Sequence, residues 1–387
     1  MRYNSPMQLG KRLASLVISD IRSMSRACEA VGGINLGQGI CDLPTPPAVA
    51  DAACDAIRQN QVVYTAADGI LPLRAAVGAK VRRHYGLAYD PETEIVITSG
   101  ATGGFAAACL SLFDPGDEII LFEPYYGYHL NTVLALGLTP VLVATRPPDW
   151  TVDFAALARA ITPRTRAVVV CSPANPSGKV WSAAELDQLA QLLEERDLIA
   201  ITDEIYEHIV YDGQTHVPLA SRRGARERTV SISGLSKTFA ITGWRVGYVT
   251  APPELARRIT ITHDLLYICA PTPLQHGVLA GLGMPDAYYQ DLSRSYGKKR
   301  DILCSALADA GLTPYVPRGA YYVLADIRRL GVASAKAAAM TLLERTGIAS
   351  VPGLSFYTDP VGDTLCRVCF AKEDDVLEEA ARRLRAL

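Results

Sequence analysis

The chain has 387 residues, 49% of them hydrophobic, enough for more than one packed core. Its 38 basic and 40 acidic side chains leave a formal charge of −2, which argues against a nucleic-acid binder with its basic surplus and gives no electrostatic reason for membrane attachment. No apolar run of about 18 residues predicts a membrane span, Met1–Gly10 carries no secretory pattern, and the nine scattered cysteines fit reduced thiols in a cytoplasm.

In chain order, residues 1–45 carry Gly37, Gly39 and Pro44 and are expected to be extended, lying near a small domain and the mouth of the active site. Six short Val- and Ile-rich runs then read as strands buried on both faces: Glu94–Thr98, Glu118–Phe122, Ala167–Cys171, Leu198–Thr202, Thr229–Ser233 and Val246–Thr250. Amphipathic segments lie between them. The best defined is Ser182–Arg196, where Ser182 and Glu185 form a capping box and Leu186, Leu189, Leu192 and Leu193 share a face. Strand and helix in alternation predict an α/β fold with a mostly parallel central sheet flanked by helices. Helical stretches near Ala287–Ala310 and Glu373–Leu387, with strand-like pieces near Ala320–Ala325 and Thr364–Ala371, predict a smaller α/β domain. The expected division is an N-terminal segment over 1–45, a large cofactor-binding domain over 46–285 and a small domain over 286–387.

The chemically suggestive motifs follow these strands, where α/β proteins place their sites. Ser99-Gly100-Ala101-Thr102-Gly103-Gly104 opens an alanine-rich helix with small residues suited to a phosphate. Asn175, in an Asn-Pro-Ser-Gly turn, follows the third run, and Asp203 and Tyr206 follow the fourth. Ser233-Gly-Leu-Ser236-Lys237 follows the fifth, and Arg245 comes eight residues later. Desolvation frees a lysine's lone pair, and arginine suits phosphate. Singly, these are a turn, a helix cap and a loop lysine. Cys366 and Cys369 have no second pair and read as buried thiols, so no metal is expected.

Together, Asn-Pro-x-Gly, Asp-x-x-Tyr and Ser-Lys followed by Gly-Trp-Arg resemble the class I/II aminotransferases of the pyridoxal-phosphate fold type I. Ile34-Asn-Leu-Gly-Gln-Gly39 and Pro44-Thr-Pro46 resemble the branch with kynurenine, glutamine and aromatic aminotransferases. The resemblance spans about Asn35 to Arg367. It implies that Lys237 carries pyridoxal 5'-phosphate covalently and shuttles the substrate proton, while Asp203 pairs with the ring nitrogen. It implies that Asn175 and Tyr206 bond the phenolic oxygen and that Tyr126 stacks on the ring. Gly100, Ala101, Thr102, Ser233, Ser236 and Arg245 would hold the phosphate. Tyr64 would reach the phosphate of a neighbouring subunit, which requires a homodimer with shared sites. Arg367 would fork onto the substrate α-carboxylate, which the Gly37 N–H would also approach. The implied reaction moves an amino group between an amino acid and a 2-oxo acid by a ping-pong route.

Four positions depart from the family pattern. Thr102 replaces a lysine of some aspartate-using relatives, which disfavours an aspartate specialist. Gly103-Gly104 replaces Glu-Ala, which predicts a wider or looser turn. Tyr357 stands where glycine is usual, and packing is favoured slightly over a narrowed pocket. Ile18, Ile40, Tyr125, Tyr126, Tyr267 and Tyr321 are candidate pocket liners, and each is equally a plausible core residue. Elimination, replacement or oxidation on the same scaffold is the alternative chemistry. A regulator is disfavoured by the short segment before Asn35.

Overall fold

A computed structural model describes Leu13 and residues 20–387. β1 (Ile34–Asn35) lies in the N-terminal segment. β2 (Ile95–Thr98), β3 (Glu118–Glu123), β4 (Thr139–Ala144), β5 (Thr165–Cys171), β6 (Ile199–Asp203), β7 (Thr229–Gly234) and β8 (Gly247–Thr250) form a seven-stranded sheet in the order β2-β8-β7-β6-β5-β3-β4. β9 (Thr313–Tyr315), β10 (Tyr322–Asp326), β11 (Ile348–Ala349), β12 (Val351–Pro352) and β13 (Leu365–Cys369) follow. Four of these make an antiparallel sheet, β12-β13-β10-β9, while β11 pairs in parallel with β1.

Each of the six apolar runs forms a strand of the large sheet. Alternation sends Val169 and Ile201 to one face, beside Phe105 and Ala108, and Val168, Val170 and Ala200 to the other, beside Leu186, Leu189 and Leu193. β8 is the exception to parallel pairing and runs against both β7 and β2. The stretch from Leu235 to Val246 that joins β7 to β8 contains no α-helix to carry a parallel crossover. β4, not read from the sequence, is an edge strand whose half-exposed residues and Pro140 weaken the apolar signal. The helix Ala335–Thr346 was also not anticipated, because its alanines give a faint pattern.

The helix Ala183–Glu195 begins with the anticipated capping box: the Ser182 hydroxyl accepts from the Glu185 N–H, and the Ser182 N–H donates to the Glu185 carboxylate. The helix Gly100–Leu112 lies close on the sheet. A Cβ on Gly104 would stand 3.1 Å from Val249 and 3.2 Å from Thr98, and one on Gly103 3.4 Å from the Tyr267 ring. The glycine pair therefore tightens the packing, correcting the expectation of a looser turn. Tyr357 is buried with Phe356, Val351 and Leu324, and its hydroxyl accepts from Trp150 Nε1 at 2.8 Å.

Behind the sheet, Lys80 and Glu207 form a buried ion pair at 2.5 Å. Glu207 also accepts from the hydroxyls of Tyr85, Ser233 and Tyr248. Burial opposes its charge, but Lys80, His208 and His216 hold the carboxyl well below the usual range. The pair's stabilisation is thus complete above about pH 4.3, the ordinary glutamate value, and is lost as pH falls through the lower folded value. Lys80→Ala leaves the carboxylate buried without its cation and is expected to cost about 3–5 kcal/mol in chemical denaturation. A loss below about 1 kcal/mol would show that water or the remaining hydroxyls replace the ammonium.

Candidate active site

Parallel register sets the carboxyl ends of β2, β3, β5, β6 and β7 along one edge of the large sheet, and β8 starts from that edge directly after Arg245. The loops there surround a cavity of about 250 Å³. Ala101, Thr102, Tyr126, Asn175, Asp203, Tyr206, Ser236, Lys237, Arg245 and Arg367 all line it.

At one end, the helix Gly100–Leu112 starts without a side-chain cap, so its first N–H groups are open to an anion. Arg245 Nη2 donates to Thr102 Oγ1 at 3.3 Å. Gly100 has φ of +72°, and a Cβ there would stand 2.5 Å from the Arg245 guanidinium. Only glycine lets the arginine lie against this turn. Open N–H groups, a hydroxyl and a guanidinium form the donor set of a phosphate site.

At the other end lies Asp203. His129 Nε2 donates to its Oδ2 at 3.0 Å, and the Ile205 N–H donates to Oδ1 at 3.3 Å. His129 was not anticipated from sequence. The available signal was a histidine in an otherwise apolar stretch just after Tyr126. Its ring is held by Phe105 at 4.4 Å and stands at 90° to Tyr126. Burial pushes the Tyr126 and Tyr206 hydroxyls upward, so both stay protonated at neutral pH. Tyr206 donates to the Tyr322 hydroxyl at 3.2 Å.

Arg367, in the centre of the small sheet, is 1% exposed. Its Nη1 donates to Asn175 Oδ1 at 2.9 Å and its Nη2 to the Gly37 carbonyl at 2.7 Å. Its plane lies over Tyr322 and Phe356, and its buried Nε has no partner. No carboxylate among the described residues pairs with it. A substrate carboxylate fits this orphaned charge. Gly39 passes so near Tyr322 that a Cβ would stand 1.8 Å from the hydroxyl, so a side chain there would force the tyrosine to shift.

Several anticipated residues take other places. Gly37 offers its carbonyl to Arg367, while its N–H donates to Asn35 Oδ1 at 3.0 Å. The N–H assigned to the substrate is therefore occupied. The Ser233 hydroxyl donates to Glu207 at 2.7 Å, in the network behind the sheet, and only Ser236 faces the cavity. Tyr64 is 76% exposed and lies outside it. Ile40 lines the mouth. Tyr125 borders a neighbouring small cavity, Tyr267 sits beside Gly103, and Tyr321 lies beneath the Lys237 amine at 5.6 Å from its ring centre. Ile18 lies outside the described residues. All nine cysteines are free, and no group of three metal-binding side chains occurs among the described residues.

Burial brings the Lys237 amine down to about 8. The neutral nucleophile therefore prevails above about pH 8, whereas an exposed lysine needs about pH 10.4. In cofactor-free protein, amine-directed labelling of Lys237 should rise through half-maximum near pH 8, followed by peptide mass spectrometry. A midpoint near that of surface lysines would show an amine in water.

Residues 31–384 match the model of the aminotransferase class I and II family. A probable N-succinyldiaminopimelate aminotransferase of Mycobacterium tuberculosis is 39% identical, covering 97% of this chain and 98% of its own. The methionine aminotransferase of Escherichia coli is 33% identical over 99% and 100% of the two chains. The solved structure of N-succinyldiaminopimelate aminotransferase from M. tuberculosis superposes with a TM-score of 0.95 at 38% identity, over 98% of this chain and all of that one. These findings favour amino-group transfer over elimination or oxidation. With a pyridoxal-phosphate donor set at the sheet edge and a family match over nearly its whole length, the chain belongs to the class I and II aminotransferases.

Proposed function

We propose that this cavity moves an amino group between an L-amino acid and a 2-oxo acid with Lys237 as covalent anchor and proton carrier. One observation carries this reading: the Lys237 amine, Asp203, the phosphate-type turn and the orphaned Arg367 all face one cavity. Pyridoxal 5'-phosphate, when bound, supplies an aldehyde for the amino group and a ring that takes up the electrons released at the substrate α-carbon.

The chain's own groups do the rest. The N–H groups of Ala101 and Thr102, the Thr102 and Ser236 hydroxyls and Arg245 hold the phosphate beside Gly100. Asp203, oriented by His129, would keep the ring nitrogen protonated. Asn175 and Tyr206 would bond the phenolic oxygen, and Tyr126 would cover one ring face. Arg367 forks onto the substrate α-carboxylate and sets the α-hydrogen toward Lys237. The lysine, left neutral by burial, would take that proton onto Nζ and hold it for return. Phe105, Tyr126 and Tyr322 narrow the approach of water.

We further propose a large domain over 46–285, a small domain over 286–387 and a homodimer in which exposed Tyr64 completes the neighbouring subunit's phosphate site. Nine free thiols support a cytoplasmic location.

Single amino acids added to holoenzyme should convert the cofactor's absorbance to that of its amine form. Ammonia and pyruvate without this change would replace transfer with elimination. Lys237→Ala should slow the conversion by about 10²–10⁴-fold, and wild-type turnover by that variant would remove the lysine from the mechanism. For the shared site, mixing Tyr64→Ala protein with Lys237→Ala protein should restore activity, because one site of each hybrid is intact. No gain on mixing, with subunit exchange verified, would confine Tyr64 to its own chain.

A further inference from the structure

His263 is fully buried, yet it belongs neither to the cavity wall nor to the ion pair behind the sheet. It lies in the helix Pro253–Tyr267, and its two ring nitrogens join segments far apart in the chain. Nε2 accepts from the Ser99 N–H at 2.9 Å, and Nδ1 donates to the Ala67 carbonyl at 3.2 Å. A backbone N–H only donates and a carbonyl only accepts, so the partners fix one neutral tautomer. A protonated ring would set an N–H against the Ser99 N–H.

Both partners bear on the phosphate turn. Ser99 is the cap residue of the helix Gly100–Leu112, directly before Gly100, Ala101 and Thr102, and that end has no side-chain cap. The bond from Ser99 fixes the peptide that enters the turn, and with it the direction of the N–H groups that follow. Ala67 is a firm support. The Thr272 hydroxyl donates to the Val63 carbonyl at 2.7 Å, Gln275 Nε2 donates to Thr65 Oγ1 at 3.3 Å, and Gln275 Oε1 accepts from the Ile70 N–H at 2.9 Å. The Ile97 N–H donates to the Asp68 carbonyl at 2.9 Å, which ties the same segment to β2.

Burial holds the imidazole below the ordinary histidine value, although the Ala67 carbonyl and Asp264 favour its cation. On its own helix it meets Asp264 and the Tyr267 ring, the latter at 5.2 Å. The Ala67 segment brings Asp68, already paired with Arg74 at 2.8 Å, and Arg245 lies against Gly100. The helix Gly100–Leu112 and β2 add no ionisable side chain except Cys109. Together these groups do not outweigh burial.

Resting on the phosphate turn assigned above, we propose that His263 is a positioning residue for the cofactor. Gripping Ser99 through an unprotonated nitrogen, it holds the turn in the form that receives the phosphate, and it releases the turn in acid.

Pyridoxamine 5'-phosphate cannot form an imine with Lys237, and pyridoxamine lacks only the phosphate. The ratio of their affinities for cofactor-free protein, measured by calorimetry, therefore reads the phosphate turn. His263→Ala should reduce that ratio by roughly tenfold, the effect of one hydrogen bond withdrawn from a buried donor. Pyridoxamine binding, retained, shows that the variant is folded. His263→Gln should recover most of the ratio, because its amide oxygen reaches the Nε2 position, whereas His263→Asn reaches only that of Nδ1 and should not. Below about pH 6.5, the ordinary histidine value, the ratio should fall further in wild type than in His263→Gln. The phosphate's own protonation at about pH 6 is common to both proteins and cancels. An unchanged ratio in His263→Ala, equal weakening of both ligands, or equal recovery by Asn and Gln would overturn the role of His263. If Arg245→Gln left the ratio unchanged, the assignment of the turn itself would fail. Hydrogen exchange at the Ser99 amide judges His263 separately: it should be faster in His263→Ala than in wild type or His263→Gln, and equal rates in all three would overturn the grip.

Discussion

The buried guanidinium of Arg367 ties the molecule together. It belongs to β13 of the small sheet, donates to Asn175 after β5 of the large sheet, and donates to Gly37 of the N-terminal strap. An unpaired buried charge carries a desolvation cost of several kcal/mol. Two hydrogen bonds and two aromatic faces offset part of it, and Nε remains unsatisfied. The three segments must therefore close around the arginine before a carboxylate can complete its coordination. Structural closure and substrate demand reside in one side chain.

Around that point the site is organised by opposed charges at the two ends of a cavity. A guanidinium and open helix N–H groups gather negative charge at Gly100–Thr102, while Asp203 gathers positive charge at the far end. Between them stands an amine that burial has made a better nucleophile. Each group is held by a neighbour: His129 for Asp203, Thr102 for Arg245, and the glycines at 39 and 100 for the backbone that must come close. In the proposed function, these supports would let one pocket hold a dianion at one end and a protonated nitrogen at the other.

The network behind the sheet separates stability from chemistry. Ser233 lies on the last turn of β7 before Lys237, yet its hydroxyl points to Glu207 and the buried Lys80. Strand alternation explains this: neighbouring residues face opposite sides of a sheet, so a motif contiguous in sequence is divided between active site and core.

The linear order of residues determined the six buried strands and the capped helix at 183–195, because apolar runs and capping motifs are local signals, and the family resemblance pointed to Lys237, Asp203, Asn175, Arg245 and Arg367. Tertiary structure decided what depends on approach between distant segments. It brought His129 to Asp203, turned the Gly37 carbonyl rather than its N–H toward Arg367, sent Ser233 away from the cavity and reversed β8 within the sheet. Hydrogen-bond partners and side-chain directions arise from packing between elements, and no local pattern of residues encodes them.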